Sequence, residues 1–214
     1  MTRSAPAVAV ASPRAVPGLE RQTRVPDESF GGPVALERAL SSGAEWIWLL
    51  AGGAIPRADA LERLVEATAL SDEAPPSLLA GAVGDSSGEL YADLLPSPDQ
   101  QHPDLAMLVG KHVLAIRNLT FANSLVAREC FVRHGLPDER RYGRYAAVEW
   151  SARALRADTG YFVPSSVVSL EALPERRADI RSMTAFIRTF RADAWPRGDA
   201  LHELGRSLAI LERG

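Results

Sequence analysis

Glu45–Glu66 reads EWIWLLAGGAIPRADALERLVE, and its two halves follow different periods. Trp46, Ile47, Trp48, Leu49 and Leu50 form an apolar run with no polar alternation, as expected of a strand covered on both faces in a mainly parallel sheet. Beyond Ala51-Gly52-Gly53-Ala54, the residues Ala60, Leu61, Leu64, Val65 and Ala67 recur at helical spacing, with Asp59, Glu62 and Arg63 between them. Pro56 is placed to open that helix, where its missing N–H costs nothing. In open α/β sheets ligands meet the carboxyl ends of the strands. Chemistry is therefore expected at the Ala51–Ala54 turn.

Upstream, Val34–Ser42 reads as a short amphipathic helix with Leu36, Ala39 and Leu40 inward and Gly43 as its terminal residue. Ala7–Ala11 is the strand-like piece of the first 33 residues, and Gly31-Gly32 reads as a turn before the helix. Downstream, Pro75-Pro76 bars regular structure and Leu78–Val83 reads as a strand. Gly84–Gly88 is a turn, with Glu89–Leu95 as its return strand. Leu105–Ile116 is apolar, and period alone does not separate helix from strand there. After residue 171, Met183, Phe186, Ile187 and Phe190 mark one helical face and Leu201, Leu204, Leu208 and Leu211 a second. Such stripes are packing surfaces for the core, a protein partner or a second copy of the chain.

The 214 residues suffice for one α/β domain over 1–170 with a helical extension over 171–214. A formal net charge of −3 and a pI near 5.8 give no basic face for nucleic acid. A single cysteine, Cys130, excludes an internal disulfide framework and cannot make a metal site alone; it reads as a small buried hydrophobe. No segment approaches the roughly 18 apolar residues of a membrane span. Ala5–Ala11 is too short for a secretory leader, so a cytoplasmic location is expected, with peripheral membrane association open. His102 lacks a companion ligand at a metal-binding spacing and reads as a surface residue. Asp85, Glu89 and Asp93 could lend carboxylates to a cation, but a solvated loop is the simpler reading.

Four stretches carry a resemblance. WIWLL followed by a three-residue turn and A-x-P-x-x-D-A-L-E-R-L resembles the metal-site segment of family 2 glycosyltransferases, GT-A fold enzymes that transfer sugars from nucleotide-sugars, in their actinobacterial rhamnosyl- and galactofuranosyl-transferase branch. Gln22-Thr23-Arg24-Val25-Pro26-Asp27-Glu28 resembles the connection that leads into the family's second strand. Phe121–Val126 with Arg128-Glu129 and Gly135-Leu136-Pro137-Asp138-Glu139 resembles the block before its catalytic acid, and Val148-Glu149-Trp150 the motif that follows.

The resemblance implies a truncated GT-A-like α/β fold with the second strand and its nucleotide loop missing from residues 1–33. It also implies a site stripped of charge. In the family the turn after the WIWLL-like strand is a run of aspartates that holds a divalent cation, whereas Ala51, Gly52 and Gly53 stand here. An acidic pair supplies the base that deprotonates the acceptor, and Ala146 and Ala147 stand at those positions. The family's late histidine, a further ligand, is replaced within Val167–Leu170. Neither metal nor cofactor is therefore expected. The implied role is that of an inactive or impaired binding or partner protein in glycan or cell-envelope metabolism, with a nucleotide-sugar or glycan as ligand. The competing expectation is a metal-independent transferase with Glu149 as base, Arg141 and Arg144 facing the diphosphate, and Trp48 and Asn123 near the ligand.

Overall fold

The computed structural model describes residues 6–32, 34–70, 75–171 and 184–185. Strands β1 (Val8–Ser12), β2 (Glu28–Gly31), β3 (Trp46–Leu50), β4 (Ala54–Pro56), β5 (Leu78–Gly84), β6 (Leu114–Ala115), β7 (Asn123–Ala127) and β8 (Gly160–Leu170) form one sheet. Its order is β2-β1-β3-β7-β5-β8-β4, with β6 paired to β8. β2, β1, β3, β5 and β8 run one way, while β7 and β4 run against them. The mainly parallel sheet read from the sequence is present, and β7 is an antiparallel strand within it.

The helices α1 (Ala35–Ser41), α2 (Ala60–Ala67), α3 (Leu105–Gly110), α4 (Arg128–His134), α5 (Glu139–Tyr142) and α6 (Ala146–Ala154) cover the sheet. Strand β3 shows why its run has no polar alternation. Trp48 and Leu50 point into one core with Leu61, Leu64 and Leu108 of α2 and α3. Ile47 and Leu49 point into the opposite core with Ala35, Ala39, Phe131 and Trp150 of α1, α4 and α6. Each large apolar side chain so buried contributes about 1.5–3 kcal/mol. Both faces of the strand must therefore be apolar.

Three local expectations are corrected. The second strand is not missing: Glu28–Gly31 pairs in parallel with β1, from Ala9 opposite Glu28 to Ser12 opposite Gly31. Its short length and the immediate descent into α1 hid it. The Gln22–Glu28 connection has a bracing role. Gln22 donates to the Arg57 carbonyl at 2.7 Å and accepts from the Leu61 N–H at 3.3 Å, while Asp27 accepts from the Val8 N–H at 2.6 Å. Pro56 does not open α2; it ends β4 opposite Val168, and the helix starts at Ala60. β4 lies at the end of the strand path, where a missing N–H is tolerated.

The return strand expected at Glu89–Leu95 shrinks to one bridge, Gly84 to Leu90, followed by a 3-10 turn at Ala92–Leu94. The ambiguous run Leu105–Ile116 is both helix and strand, α3 followed by β6. Gly43 (φ 85°) closes α1 as its sequence position predicts, and Gly135 (φ 72°) closes α4 in the same way. No described helix is long and apolar enough to cross a membrane. The two helices expected after residue 171, with Phe186 and Phe190, fall outside the described residues.

Candidate functional site

The carboxyl ends of β1 and β3 open into a cleft of about 310 Å³, lined by Ser12, Pro13, Gly32, Ala51, Phe121 and Glu139 among others. That volume lies at the lower end of small-molecule sites, about 300–1,000 Å³. The turn at its rim is tightly held. The Ala51 N–H donates to the Ala122 carbonyl at 3.0 Å, and the Ala54 N–H closes back on the Ala51 carbonyl at 3.1 Å. Gly53 takes φ 82°, the left-handed conformation that a glycine at the third position of such a turn supplies. The backbone of this turn is thus well formed.

The donor set is not. Ala51, Gly52 and Gly53 offer no side-chain oxygen, so the residues at this turn do not fit a divalent cation of the kind a GT-A site uses. Over Gly52 lies a different group. A Cβ built on Gly52 would stand 3.5 Å from both Cγ and Cδ of Arg14, so the arginine stem lies in ordinary packing contact with the position a side chain there would take. Arg14 lies two residues past β1 and is exposed; its backbone N–H donates to Ser12 Oγ at 3.5 Å, and its side chain makes no hydrogen bond or ion pair with any described residue. Sequence reading did not single out Arg14; the signal that could have done so is a basic residue just past the carboxyl end of an α/β strand.

The other site residues read from the sequence are dispersed. Trp48 and Asn123 are fully buried and bonded to each other, with the indole N–H donating to Asn123 Oδ1 at 3.0 Å. Arg141 lies over the Tyr142 ring at 5.1 Å, and Arg144 over the Tyr145 ring at 4.7 Å with a 2.5 Å hydrogen bond to its hydroxyl. Ala146 is buried in a small cluster with Tyr142, Tyr145 and Val148, where an aspartate would be desolvated beside aromatic rings. Glu149 is mostly buried and accepts from Arg153 Nε at 3.1 Å, one helical turn along α6. The carboxylate on the cleft wall belongs to Glu139.

Of the three acids weighed for a cation, Asp85 is spent locally. Asp85 Oδ1 accepts from the Ser87 N–H at 2.8 Å, the Ser87 hydroxyl at 2.6 Å and the Glu89 N–H at 2.9 Å. The Ser87 hydroxyl above all holds the Asp85 carboxyl below the usual carboxylate range. His102 is half-buried with its edge toward Tyr161, its Nδ1 accepting from the Asp104 N–H at 3.2 Å.

No family model and no curated protein matches the chain by sequence. Among solved structures, the crystal structure of GalNAc-T7 with UDP, GalNAc and Mn2+ superposes with a TM-score of 0.55 at 11% identity, covering 87% of this chain and 48% of that one. The chain thus spans about half the length of that neighbour. Agreement over most of the shorter chain at so low an identity is agreement of architecture: the protein has a GT-A-like fold, a mainly parallel sheet flanked by helices.

Proposed function

We propose that this chain is a family 2 glycosyltransferase-like scaffold that has lost metal-dependent sugar transfer and works as a binding or partner protein in glycan or cell-envelope metabolism. One observation carries the reading: the turn at the carboxyl end of β3 keeps its backbone geometry while its side chains are reduced to a methyl and two hydrogens. Sugar transfer from a nucleotide diphosphate needs positive charge against the leaving group and a base beside the attacking hydroxyl. Loss of one charge-stabilising group costs about 100- to 1,000-fold in rate. Here the base positions Ala146 and Ala147 and the metal positions are altered together. The neighbour with UDP and Mn2+ supports a nucleotide-sugar as the ancestral ligand class. The test is nucleotide release from UDP-, GDP- and dTDP-sugars with manganese or magnesium. No release above the blank is expected, and metal-dependent turnover that Glu149→Gln abolishes would overturn the reading.

Arg14 favours a second reading, a metal-independent transferase in which a fixed guanidinium meets the diphosphate. Calorimetry with the same donors in excess chelator separates the two. Donor binding with slow turnover, both weakened by Arg14→Ala, favours the enzyme; absence of donor binding leaves it without a substrate.

A further inference from the structure

We propose that Cys130, His134 and Asp158 form a zinc site, with one sulfur, one imidazole nitrogen and one carboxylate oxygen around a single ion that ties α4 to the turn before β8. Among the described residues these three side chains bring their ligand atoms within 4.8 Å of one another. Cys130 and His134 stand one helical turn apart on α4, so sulfur and imidazole share a face. Asp158 meets that face from the segment between α6 and β8.

The carboxylate is already divided between two tasks. Its Oδ1 faces the Arg133 guanidinium and the Ser77 hydroxyl, the latter at 3.5 Å. Its Oδ2 faces His134 Nε2 at 2.6 Å and Cys130 Sγ at 3.6 Å. Outer partners on one oxygen that leave the other aimed at soft ligands are how metal sites orient a carboxylate. A tetrahedral zinc with Zn–S of about 2.3 Å and Zn–N or Zn–O of about 2.0 Å holds sulfur and oxygen about 3.5 Å apart. The Cys130 to Asp158 separation of 3.6 Å is close to that value. Nitrogen and oxygen would sit about 3.3 Å apart, so the imidazole must move outward by less than about 1 Å. The His134 side chain is 13% exposed and the Asp158 side chain 5%, which leaves the open approach on the histidine side for a water as fourth ligand. An ion pair accounts for Arg133 and His134, and an S–H donated to Asp158 Oδ2 at 3.6 Å orients Cys130; the observation that points to an ion is that sulfur, imidazole nitrogen and carboxylate oxygen converge on one point.

On binding, the Cys130 S–H bond breaks, its proton passes to solvent, and the sulfur electron pair forms the bond to zinc; no oxidation state changes. The site lies apart from the cleft, and its test reads no nucleotide. Titrating the tag-free, chelator-washed full chain with cobalt should give one equivalent of a near-ultraviolet thiolate-to-cobalt band with visible bands of tetrahedral intensity. Zinc at about 100-fold above its Kd should raise Tm by about 5–10 °C. Cys130→Ser should abolish the near-ultraviolet band. If that buried variant fails to fold, His134→Ala, altered at the more exposed ligand, should lose the zinc-induced rise in Tm. No thiolate band in the parent chain, a band that survives Cys130→Ser, or a full zinc-induced rise in His134→Ala would each overturn the site.

Discussion

The Trp48 indole N–H donates to Asn123 Oδ1 at 3.0 Å between residues 75 positions apart, and neither side chain reaches solvent. The Asn123 amide then donates to the Ala82 and Ser166 carbonyls, each at 3.2 Å, so that β3, β7, β5 and β8 are joined at one point. Gly81 makes room for it: a Cβ there would stand 2.1 Å from Asn123 Nδ2 and 2.7 Å from the Ser166 carbonyl oxygen. Because the second contact is backbone, a side-chain rotation cannot relieve it. Gly81→Ala should destabilise by about 1–3 kcal/mol through overpacking. Asn123→Ala should cost about 2–4 kcal/mol by leaving the indole N–H unpaired and opening a void. Urea unfolding measures both, and losses under about 0.5 kcal/mol would show that the junction is not a brace.

That junction shows what was legible in the sequence and what was not. The strand Trp46–Leu50 was readable because burial on both faces leaves an apolar run with no alternation. The role of Trp48 was not, because a strand sequence does not reveal which partner 75 residues away satisfies its indole. Asn123 was assigned to the ligand side for the same reason: a polar residue within an apolar strand has the same sequence signature whether it faces a substrate or a buried network. β2 escaped notice because Glu28–Gly31 is an exposed edge, and edge strands lack the burial that writes a pattern. The turn at Ala51–Ala54 was placed correctly by the change of period on either side of it. Arg14 was missed since its position over Gly52 depends on the pairing of β1 with β3.

Arg14 provides the next prediction. If the cleft meets an anion, Arg14, whose stem packs against Gly52, is the side chain that attracts it, whereas Arg141 and Arg144 are occupied against tyrosine rings. Arg14→Ala should weaken the binding of UDP or pyrophosphate by about fivefold, the scale of about 1 kcal/mol expected for an exposed charge. Arg141→Ala and Arg144→Ala should leave it within about twofold. Raising salt should shrink the Arg14 effect, because an exposed interaction is screened. An equal loss in all three variants would mean that the cleft does not place the anion.

Placing acids at the turn tests the proposed loss of a cation site directly. Gly52 has an ordinary backbone conformation, and an added Cβ would meet only the Arg14 stem and Pro13, at 3.5 Å and beyond. Ala51→Asp with Gly52→Asp should therefore fold, and the double variant should gain manganese binding in a calorimetric titration relative to the parent. Gly53→Asp should instead lose about 1 kcal/mol, since its φ of 82° disfavours any side chain. A double variant that folds but gains no manganese affinity would show that the turn does not point its side chains into a cation-sized space.

Cys130 yields a pH prediction for the chelator-treated chain. Burial first, then the neighbouring Asp158 carboxylate, pushes the thiol up from 9.0 to about 12. A group whose pKa rises on folding favours the native state in its protonated form. Its contribution is complete below about pH 9 and is lost as the pH climbs toward about 12, with a slope of at most about 1.36 kcal/mol per pH unit. At pH 8 the thiolate fraction is about one in ten thousand in the native chain, against about one in ten for an unshifted thiol of pKa 9.0. Alkylation by iodoacetamide at pH 8 should therefore be far slower in the native chain than in urea. Asp158→Asn should speed it only in part, because the burial that dominates the shift remains. Native alkylation at the unfolded rate would mean that the thiol is neither buried nor held beside the carboxylate.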